Sequence, residues 1–348
     1  MVRSIKNMII LSVVVVTLGL ITFLASSWES PKLANNGQGS NTKEVFKFAT
    51  VGDFDLNDNT TRSLAQINAQ NVEFVLGLGD FSYGRVDEYA WCDSIKQQLG
   101  ETLPFQLIAG NHDLVPETSA KSQGYIDKFA TCLPNRMPNL RGIYGQQYTF
   151  DYGTARIIAI VPDLLVSDKK YTYAPGTTER TWLINAIDGA KSDNKKWVFV
   201  AMHKNCITYG VKTCEIGEDL LKLLVEKKVT LVLQGHEHAY MRSKQLQINQ
   251  TTCPFIPANS FNKDCVSSDS PDQYSNKNGS IVLINGTGGV ELRPLDVTKP
   301  AKDYFAAGYG SNIQPSYGPS IVTVFPDYVS VDYIDSGGVI LDHFEVTE

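Results

Sequence analysis

Short clusters of polar residues recur along the chain, and each follows a run of apolar, strand-forming residues. Their aspartate, asparagine, tyrosine and histidine side chains offer oxygen and nitrogen donors, so they favour iron, manganese or zinc over softer metals. Four of the five histidines in the chain lie in these clusters. The clusters are 52–55 (GDFD), 79–83 (GDFSY), 110–113 (GNHD), 203–205 (HKN) and 235–238 (GHEH).

Each cluster taken alone also has an ordinary structural explanation. A Gly-Asp pair after a strand is typical of a turn or a helix cap, and 110–113 could be a loop closed by side-chain-to-backbone hydrogen bonds. His236 and His238 are two residues apart, so both rings would face the same way on extended backbone, at a metal or on a plain surface. The placement of four histidines at strand ends is what indicates one shared site.

The elements between the clusters would bring them together. Apolar runs alternate with helical patterns, and the carboxyl ends of strands in an open α/β sheet converge on one crevice. Strands are predicted over 45–51, 72–78, 105–109, 148–161, 197–202 and 229–233, and helices over 60–69, 87–99, 178–191 and 217–227. From residue 280 the runs 281–284, 321–325, 328–333 and 339–346 predict an antiparallel meander. Residues 114–147 are predicted to be a polar stretch with turns, and 241–279 a polar insertion without clear structure.

Composition limits the class of protein. A hydrophobic fraction of 43% against 20% charged residues excludes a disordered chain, and 348 residues allow one large domain or two ordinary ones. Lys and Arg total 31 against 37 Asp and Glu, for a net charge of −6. This acidic balance argues against a nucleic-acid partner.

The amino-terminal residues predict export. A basic start precedes an almost wholly apolar run over residues 8–25, which is long enough to cross a bilayer. Small residues follow it at a plausible signal-peptidase site. Residues 1–28 are therefore predicted to be a signal peptide or an N-terminal membrane anchor, with membrane attachment through 8–25 in the second case. Either places the remainder outside the cell, secreted or anchored at the outer face of a membrane.

The rest of the chain divides into a linker and a folded domain. Residues 29–44 have no apolar periodicity and are predicted to be a flexible linker. The folded part then spans 45–348, and all six cysteines lie within it, as expected of disulfides in an exported protein. Reduced buried thiols are the alternative. Nearest-neighbour pairing predicts Cys92 with Cys132, Cys206 with Cys214, and Cys253 with Cys265, and four glycosylation sequons begin at Asn59, Asn249, Asn278 and Asn285.

Taken in order, the five clusters resemble the motifs of the metallophosphoesterase superfamily. Tyr83, three residues after Asp80, is the pattern of its purple acid phosphatases. The motifs extend from residue 45 to about 290, and 338–342 resembles the last strand of that family. The resemblance implies a calcineurin-like catalytic domain over 45–348. Its fold class would be α/β, an α+β sandwich of two stacked mixed β-sheets flanked by helices in four αββα layers.

By this resemblance, two metal ions would share the carboxylate of Asp80. The first would be Fe(III), and the second Fe(II), Zn(II) or Mn(II), with open positions for hydroxide and substrate. The ferric ligands would be Asp53, Asp80, Tyr83 and His238, and the divalent ligands Asp80, Asn111, His203 and His236.

The implied activity is hydrolysis of phosphate monoesters, by in-line attack of a metal-bound hydroxide on phosphorus. The substrate would be a small phosphate ester or a phosphoprotein. His112 matches no ligand position and is the predicted catalytic residue, contacting phosphate or protonating the leaving group, although it could instead fix its loop. Lys204 and Tyr240 are candidate substrate contacts, although Lys204 could instead be a solvated charge at the rim of the site. Asp55 departs from the family pattern and could bind metal, hydrogen-bond a ligand or cap a turn.

Two alternatives stay open at this stage. A phosphodiesterase or nucleotide hydrolase could use the same residues, because the walls that select a substrate cannot be predicted. A surface phosphate-binding module could keep the metals without turnover.

Overall fold

The computed structural model describes residues 45–114 and 124–348. The predicted leader and linker, residues 1–44, lie outside this described part. Within it, no helix combines the length and the apolar character needed to cross a membrane.

Nineteen strands, five α-helices and two short 3-10 helices, Lys263–Cys265 and Pro300–Tyr304, make up the regular structure of the described residues. The helices are α1 (Asp58–Ala69), α2 (Glu88–Leu99), α3 (Ile126–Cys132), α4 (Thr178–Ser192) and α5 (Glu218–Glu226). The strands are β1 (Phe46–Val51), β2 (Phe74–Gly77), β3 (Phe105–Leu107), β4 (Arg141–Ile143), β5 (Gln147–Tyr152), β6 (Ala155–Ala159), β7 (Leu164–Val166), β8 (Lys169–Tyr171), β9 (Trp197–Met202), β10 (Leu231–Gln234), β11 (Tyr240–Ser243), β12 (Gln245–Leu246), β13 (Val266–Ser268), β14 (Gln273–Ser275), β15 (Ile281–Asn285), β16 (Phe305–Tyr309), β17 (Ser320–Val324), β18 (Tyr328–Ile334) and β19 (Ile340–Thr347).

The first sheet has seven strands in the order β14-β19-β18-β17-β1-β2-β3. Strands β1, β2 and β3 are parallel, with α1 and α2 as the crossovers that parallel neighbours require. The side chain of Asn57 caps α1 and that of Asp87 caps α2. The predicted antiparallel meander is present as β17, β18 and β19, and β17 pairs with β1.

The second sheet has eight strands in the order β16-β11-β15-β10-β9-β6-β5-β4. Its centre, β6, β9, β10 and β15, is parallel, and its outer strands are antiparallel. Helix α4 packs on β6, while α1 packs on α2 and α2 on α3. Two short pairs, β7 with β8 and β12 with β13, stand apart from the large sheets.

Aromatic side chains join the two sheets face to face. The ring of Phe48 on β1 lies 5.6 Å from that of Phe199 on β9, and Phe74 on β2 lies 5.6 Å from Phe150 on β5. All four side chains are fully buried. The predicted fold class, two stacked mixed sheets flanked by helices, is confirmed.

Three details of the predicted organisation were wrong. The run 281–284 belongs to β15 in the second sheet, parallel to β10, and is not part of the meander. The run 148–161 is a hairpin of β5 and β6, because the chain turns at Gly153 with φ of 53°. The 241–279 insertion has regular structure, including most of β11, which pairs with both β15 and β16.

The predicted cysteine pairing is confirmed for all three pairs. Cys92 on α2 is bonded to Cys132 at the end of α3, Cys206 to Cys214, and Cys253 to Cys265. The second disulfide closes the loop that directly follows β9, so it fixes a segment next to the polar cluster that contains His203.

Candidate metal centre

The predicted ligands lie in loops at the carboxyl ends of β1, β2, β3, β9 and β10. Several of these loop residues have left-handed backbone although they are not glycine, with φ of 60° at Asp53, 56° at Asp80, 51° at Tyr83 and 69° at His236. Such a conformation costs about 1–3 kcal/mol per residue and persists only where the surroundings enforce it. Strain of this kind, concentrated at strand ends, is typical of functional sites.

Hydrogen bonds between the loops enforce this conformation. The backbone N–H of Asp53 donates to the carbonyl of Gly79 at 3.0 Å, and that of Phe54 donates to the carbonyl of Asp80 at 2.9 Å. A Cβ atom at Gly110 would lie 2.1 Å from Oδ1 of Asp80, so only glycine allows this approach.

One group of predicted ligands surrounds Asp53. The hydroxyl of Tyr83 donates to Oδ1 of Asp53 at 3.0 Å and lies 3.2 Å from Nε2 of His238. The same Asp53 oxygen is 3.4 Å from His238 Nε2. All three side chains are buried. The structure therefore brings together a carboxylate, a phenol and an imidazole drawn from three different loops.

A second group surrounds His203. Its Nε2 atom lies 3.2 Å from Oδ2 of Asp80, 3.1 Å from Oδ1 of Asn111 and 3.0 Å from Nδ1 of His236. Donor atoms of Asp80, His203 and His236 all lie within 4.8 Å of one another, a spacing that could hold a metal ion. All seven predicted ligands thus lie in these two groups.

The outward-facing nitrogen of each histidine already has a partner. His203 Nδ1 is 2.7 Å from the carbonyl oxygen of Leu78, and His238 Nδ1 is 2.8 Å from that of Glu291. His236 Nε2 is 2.7 Å from Oε1 of Glu215. A metal-binding imidazole commonly donates its second N–H to a carbonyl or carboxylate, which turns the other nitrogen's lone pair toward the metal. The three rings fit that arrangement.

The charges of the site act strongly on one another. Burial raises the pKa of Asp53 to about 6, although His203 partly offsets this. Burial also opposes ionisation of Asp80, but the adjacent His203 outweighs it and lowers the pKa of Asp80 well below its usual range. In turn the pKa of His203 rises to about 9, because the attraction of Asp80 exceeds the effect of burial.

The remaining ligands favour their neutral forms. Burial lowers the pKa of His236 to about 4 and, together with the charge of Arg293, that of His238 to about 3. Burial and the neighbouring Asp53 raise the pKa of Tyr83 well above its usual value. Neutral imidazoles and ionised carboxylates are the forms that bind metal ions, and a cation is what would stabilise Tyr83 as a phenolate. The donor set fits a metal site built from oxygen and nitrogen ligands.

His112 lies beside the ligands. Its ring centroid is 4.7 Å from that of Tyr83, and its backbone N–H donates to Oδ1 of Asp80 at 2.8 Å. Its backbone is therefore bound to the ligand that the two groups would share. Its predicted catalytic role stays a prediction.

Asp55 has a structural role in this geometry. Its carboxylate accepts hydrogen bonds from the N–H of Leu56 and the amide of Asn57, and it pairs with Arg85. Of the three roles considered for it, these contacts correspond to capping the turn that leads into α1.

The two candidate substrate contacts differ. Lys204 is mostly buried and forms ion pairs at 3.0 Å with both Asp163 and Glu215, so its role toward substrate stays a prediction. Tyr240 is fully buried in β11, where its hydroxyl donates to Asp342. A side chain without solvent access, already bonded inside the fold, cannot contact substrate, so this prediction was wrong.

The prediction from sequence missed two carboxylates that support the ligands. Asp113 accepts three backbone hydrogen bonds, from Asp80 at 2.7 Å, Phe81 at 3.0 Å and Gly110 at 2.8 Å, and so fixes two ligand loops together. Its place in the GNHD cluster was a signal for this role. Glu215, which bonds His236, lies in a loop with no pattern in the sequence that could have indicated it.

A model of the calcineurin-like phosphoesterase family matches residues 46–240, more than half of the chain and all seven predicted ligands. The chain belongs to this family. The expected superfamily membership is therefore confirmed, and the match ends at the first residue of β11.

Purple acid phosphatases are among the proteins that this chain resembles in sequence. Purple acid phosphatase 21 of Arabidopsis thaliana is 27% identical over 217 residues, which cover 59% of this chain and 46% of the relative. Fe(3+)-Zn(2+) purple acid phosphatase 12 of the same plant is 26% identical over 279 residues, covering 75% and 54%. The chain spans about a third to about half of the length of the curated relatives it matches.

A solved structure of the same fold is purple acid phosphatase PPD1 from yellow lupin seeds. It superimposes with a TM-score of 0.65 at 16% identity, covering 87% of this chain and 54% of the lupin chain. At this identity the likeness shows the fold, which agrees with the two-sheet architecture.

Proposed function

We propose that this phosphoesterase is a dinuclear acid phosphatase that hydrolyses phosphate monoesters. The observation that carries the proposal is the convergence of seven oxygen and nitrogen donors from five strand-end loops, with the outer nitrogen of each histidine already bonded. Family membership supports phosphoester hydrolysis, and the purple acid phosphatases among the relatives favour the monoester reaction.

The residues present fit two metal ions. Asp53, Asp80, Tyr83 and His238 would hold iron, and Asp80, Asn111, His203 and His236 a second iron, zinc or manganese. When bound, such ions supply Lewis-acid stabilisation of a phosphoryl group and a nucleophile derived from water. Asp80 would be the shared ligand, because one of its oxygens lies 3.2 Å from His203 Nε2 and its charge also acts on Asp53 and Tyr83 of the other group.

The protein's own residues would orient the substrate and move a proton. The ring of His112 lies 4.7 Å from that of Tyr83, and we propose that its imidazole donates a proton to the leaving-group oxygen. Asp113 keeps the Asn111 and Asp80 loops in register by bonding both backbones. Because the ligand side chains are buried, bulk water is excluded from around them, and the electrostatic interactions between them are stronger than in water.

The substrate is proposed to be a small phosphate ester or a phosphoprotein outside the cell. The three disulfides support an oxidising compartment. We also propose that the protein is secreted, or anchored to a membrane through residues 8–25. The net charge of −6 supports the further proposal that it has no nucleic-acid partner.

Elemental analysis combined with visible spectroscopy tests the centre. Purified protein should contain about two metal ions per chain, with a tyrosinate-to-iron absorption band that disappears in Tyr83→Phe. Tyr173→Phe is the matched control, because Tyr173 is another buried tyrosine, bonded to Gln147. A band that survives in Tyr83→Phe, or no band in oxidised, iron-loaded parent, would contradict the purple acid phosphatase assignment.

Turnover separates the competing functions. The parent should hydrolyse p-nitrophenyl phosphate faster than bis(p-nitrophenyl) phosphate, and His112→Ala should lower kcat by about 100-fold or more on the monoester. Faster diester turnover would favour the phosphodiesterase alternative. Tight phosphate binding without turnover of either ester would favour a phosphate-binding module.

A further inference from the structure

The cationic side chains near the candidate metal centre fall into two kinds. Lys204 is neutralised by Asp163 and Glu215, each at 3.0 Å. Lys212 and Arg293 differ, because no carboxylate of the residues described in the structure forms an ion pair with either one. Two charges near the site are therefore available to an anion, and Lys204 is not one of them.

The backbone of Lys212, and both the backbone and the guanidinium of Arg293, are hydrogen-bonded to the loop that contains His236 and His238. The N–H of Lys212 donates at 2.8 Å to Oε2 of Glu237, the residue between the two histidines. The N–H of Arg293 donates at 2.9 Å to the carbonyl of His238, and its guanidinium donates at 3.4 Å to that of His236. Their backbones are thus held against the ligand loop from two directions.

The two cations also act on each other and on the site. Partial burial and the charge of Arg293 lower the pKa of Lys212, while the carboxylates of Glu215 and Asp53 oppose this change. Two like charges that act on each other, with no carboxylate of the described residues in ion-pair contact with either, are less unfavourable once an anion joins them. The guanidinium of Arg293 is bonded to the carbonyl of His236, so an anion bound by Arg293 would lie next to a predicted metal ligand.

We propose that Lys212 and Arg293 bind the phosphoryl oxygens of the substrate and select the dianionic phosphate monoester over the monoanionic diester. This inference rests on the proposed function and names the residues that give it its substrate class. The guanidinium of Arg293 offers a planar pair of N–H donors suited to phosphate, and Lys212 adds a compact charge. A diester has one ionised oxygen and gains less from a second cation.

The test measures phosphate binding and turnover in Lys212→Met, Arg293→Gln and the double variant. Calorimetric titration of inorganic phosphate into metal-loaded protein gives an affinity that does not depend on catalysis. Each single variant should weaken phosphate binding and raise KM for p-nitrophenyl phosphate by about 10-fold to 100-fold. Turnover of bis(p-nitrophenyl) phosphate should change by less than about 3-fold, so the preference for the monoester falls.

Matched controls separate lost charge from lost structure. Lys222→Met on α5 and Arg136→Gln remove cations elsewhere on the described surface and should leave phosphate affinity unchanged. Arg293→Lys keeps the charge and should recover part of the affinity, whereas Arg293→Gln should not.

The outcomes also separate this inference from the proposed function. Parent protein that hydrolyses monoesters, with variants that bind phosphate as tightly as the parent, would overturn the role of Lys212 and Arg293 alone. Equal losses on monoester and diester would overturn the charge selection. Parent protein that binds phosphate but hydrolyses no ester would contradict the proposed function, and loss of that binding in the variants would still support the cation pair.

Discussion

Replacing Glu215 with glutamine should weaken metal binding while leaving the fold intact. Oε1 of Glu215 lies 2.7 Å from Nε2 of His236, and Oε2 lies 3.0 Å from the ammonium of Lys204. The hydrogen bond from His236 is the largest cause of a lowered pKa at Glu215, to about 2, so the carboxylate is ionised under working conditions. It therefore fixes the proton on Nε2 of His236 and leaves Nδ1 directed at His203 and the site.

The expected magnitudes differ for metal affinity and for stability. Removing a carboxylate that orients a metal-binding histidine typically weakens metal affinity or activity by about 10-fold to 100-fold, equivalent to about 1.4–2.8 kcal/mol. The side chain of Glu215 is 27% exposed, so solvent screens its interaction with Lys204. The free energy of unfolding of metal-free protein should then fall by less than about 1 kcal/mol.

Competition with a chromophoric chelator measures the metal affinity, and urea unfolding of metal-free protein measures the stability. Asp163→Asn is the control, because it removes the other carboxylate partner of Lys204 without touching His236. It should leave metal affinity near that of the parent. Parent-like affinity in Glu215→Gln would refute the positioning role, and so would an equal loss in Asp163→Asn.

Two further predictions concern the framework around the ligands, and a third concerns the ion pair of the β5–β6 hairpin. Gly110→Ala would place a methyl group 2.1 Å from Oδ1 of Asp80, so the variant should stay folded by circular dichroism but bind less than one equivalent of metal by elemental analysis. Asp113→Ala would leave three buried N–H groups without an acceptor and should lower the free energy of urea unfolding by roughly 3–5 kcal/mol, a result that a parent-like midpoint would contradict. Arg156→Gln should destabilise the protein at neutral pH but much less in acid. Burial alone would raise the pKa of Asp151, but the hydrogen bonds from Arg156 outweigh burial and lower this pKa below its ordinary value of 3.8. The stabilisation is therefore complete above about pH 4 and lost as the pH falls further, so the parent and variant urea midpoints should converge below that pH.

The ligands were predictable because each one follows a strand whose apolar run is visible in the sequence. Strand β9, for example, is Trp197–Met202, as predicted, and His203 is the next residue. The carboxyl ends of parallel strands meet at one edge, so strand order in the chain was enough to bring the clusters together. The convergence of the clusters could therefore be predicted without knowing the orientation of any side chain.

Sheet membership was less predictable, because it depends on partners distant in the chain. Every residue of β15 is buried, and four of its five residues are apolar. This pattern suits a strand in either sheet. Only its pairing with β10 and β11 decides the matter. Strand β11 was missed because Arg242 and Tyr240 make it look polar, although both are buried against Asp342.

The supporting residues of the site were the hardest to predict. Glu215 reaches His236 because the Cys206–Cys214 disulfide and two hydrogen bonds to the carbonyl of Asn205 fold its loop back over the end of β9. Nothing in a single glutamate indicates such a contact. Positioning contacts depend on loop geometry, which a pattern of residue types does not specify.

The position of the site also gives it a mechanical role in the fold. Asp53, Asp80 and Asn111 follow strands of the first sheet, whereas the histidine ligands follow β9 and β10 of the second. The two sheets already meet there through backbone bonds, such as Gly52 N–H to Asn285 C=O at 2.9 Å, and through Asp53 Oδ2, which accepts the N–H of His236 at 2.8 Å. A cation bound by both groups would add bonds across the same seam, so its binding energy would stabilise the packing of the sheets as well as the strained loops. The left-handed backbone at the ligands is therefore best understood as a cost of the fold that metal binding helps to offset.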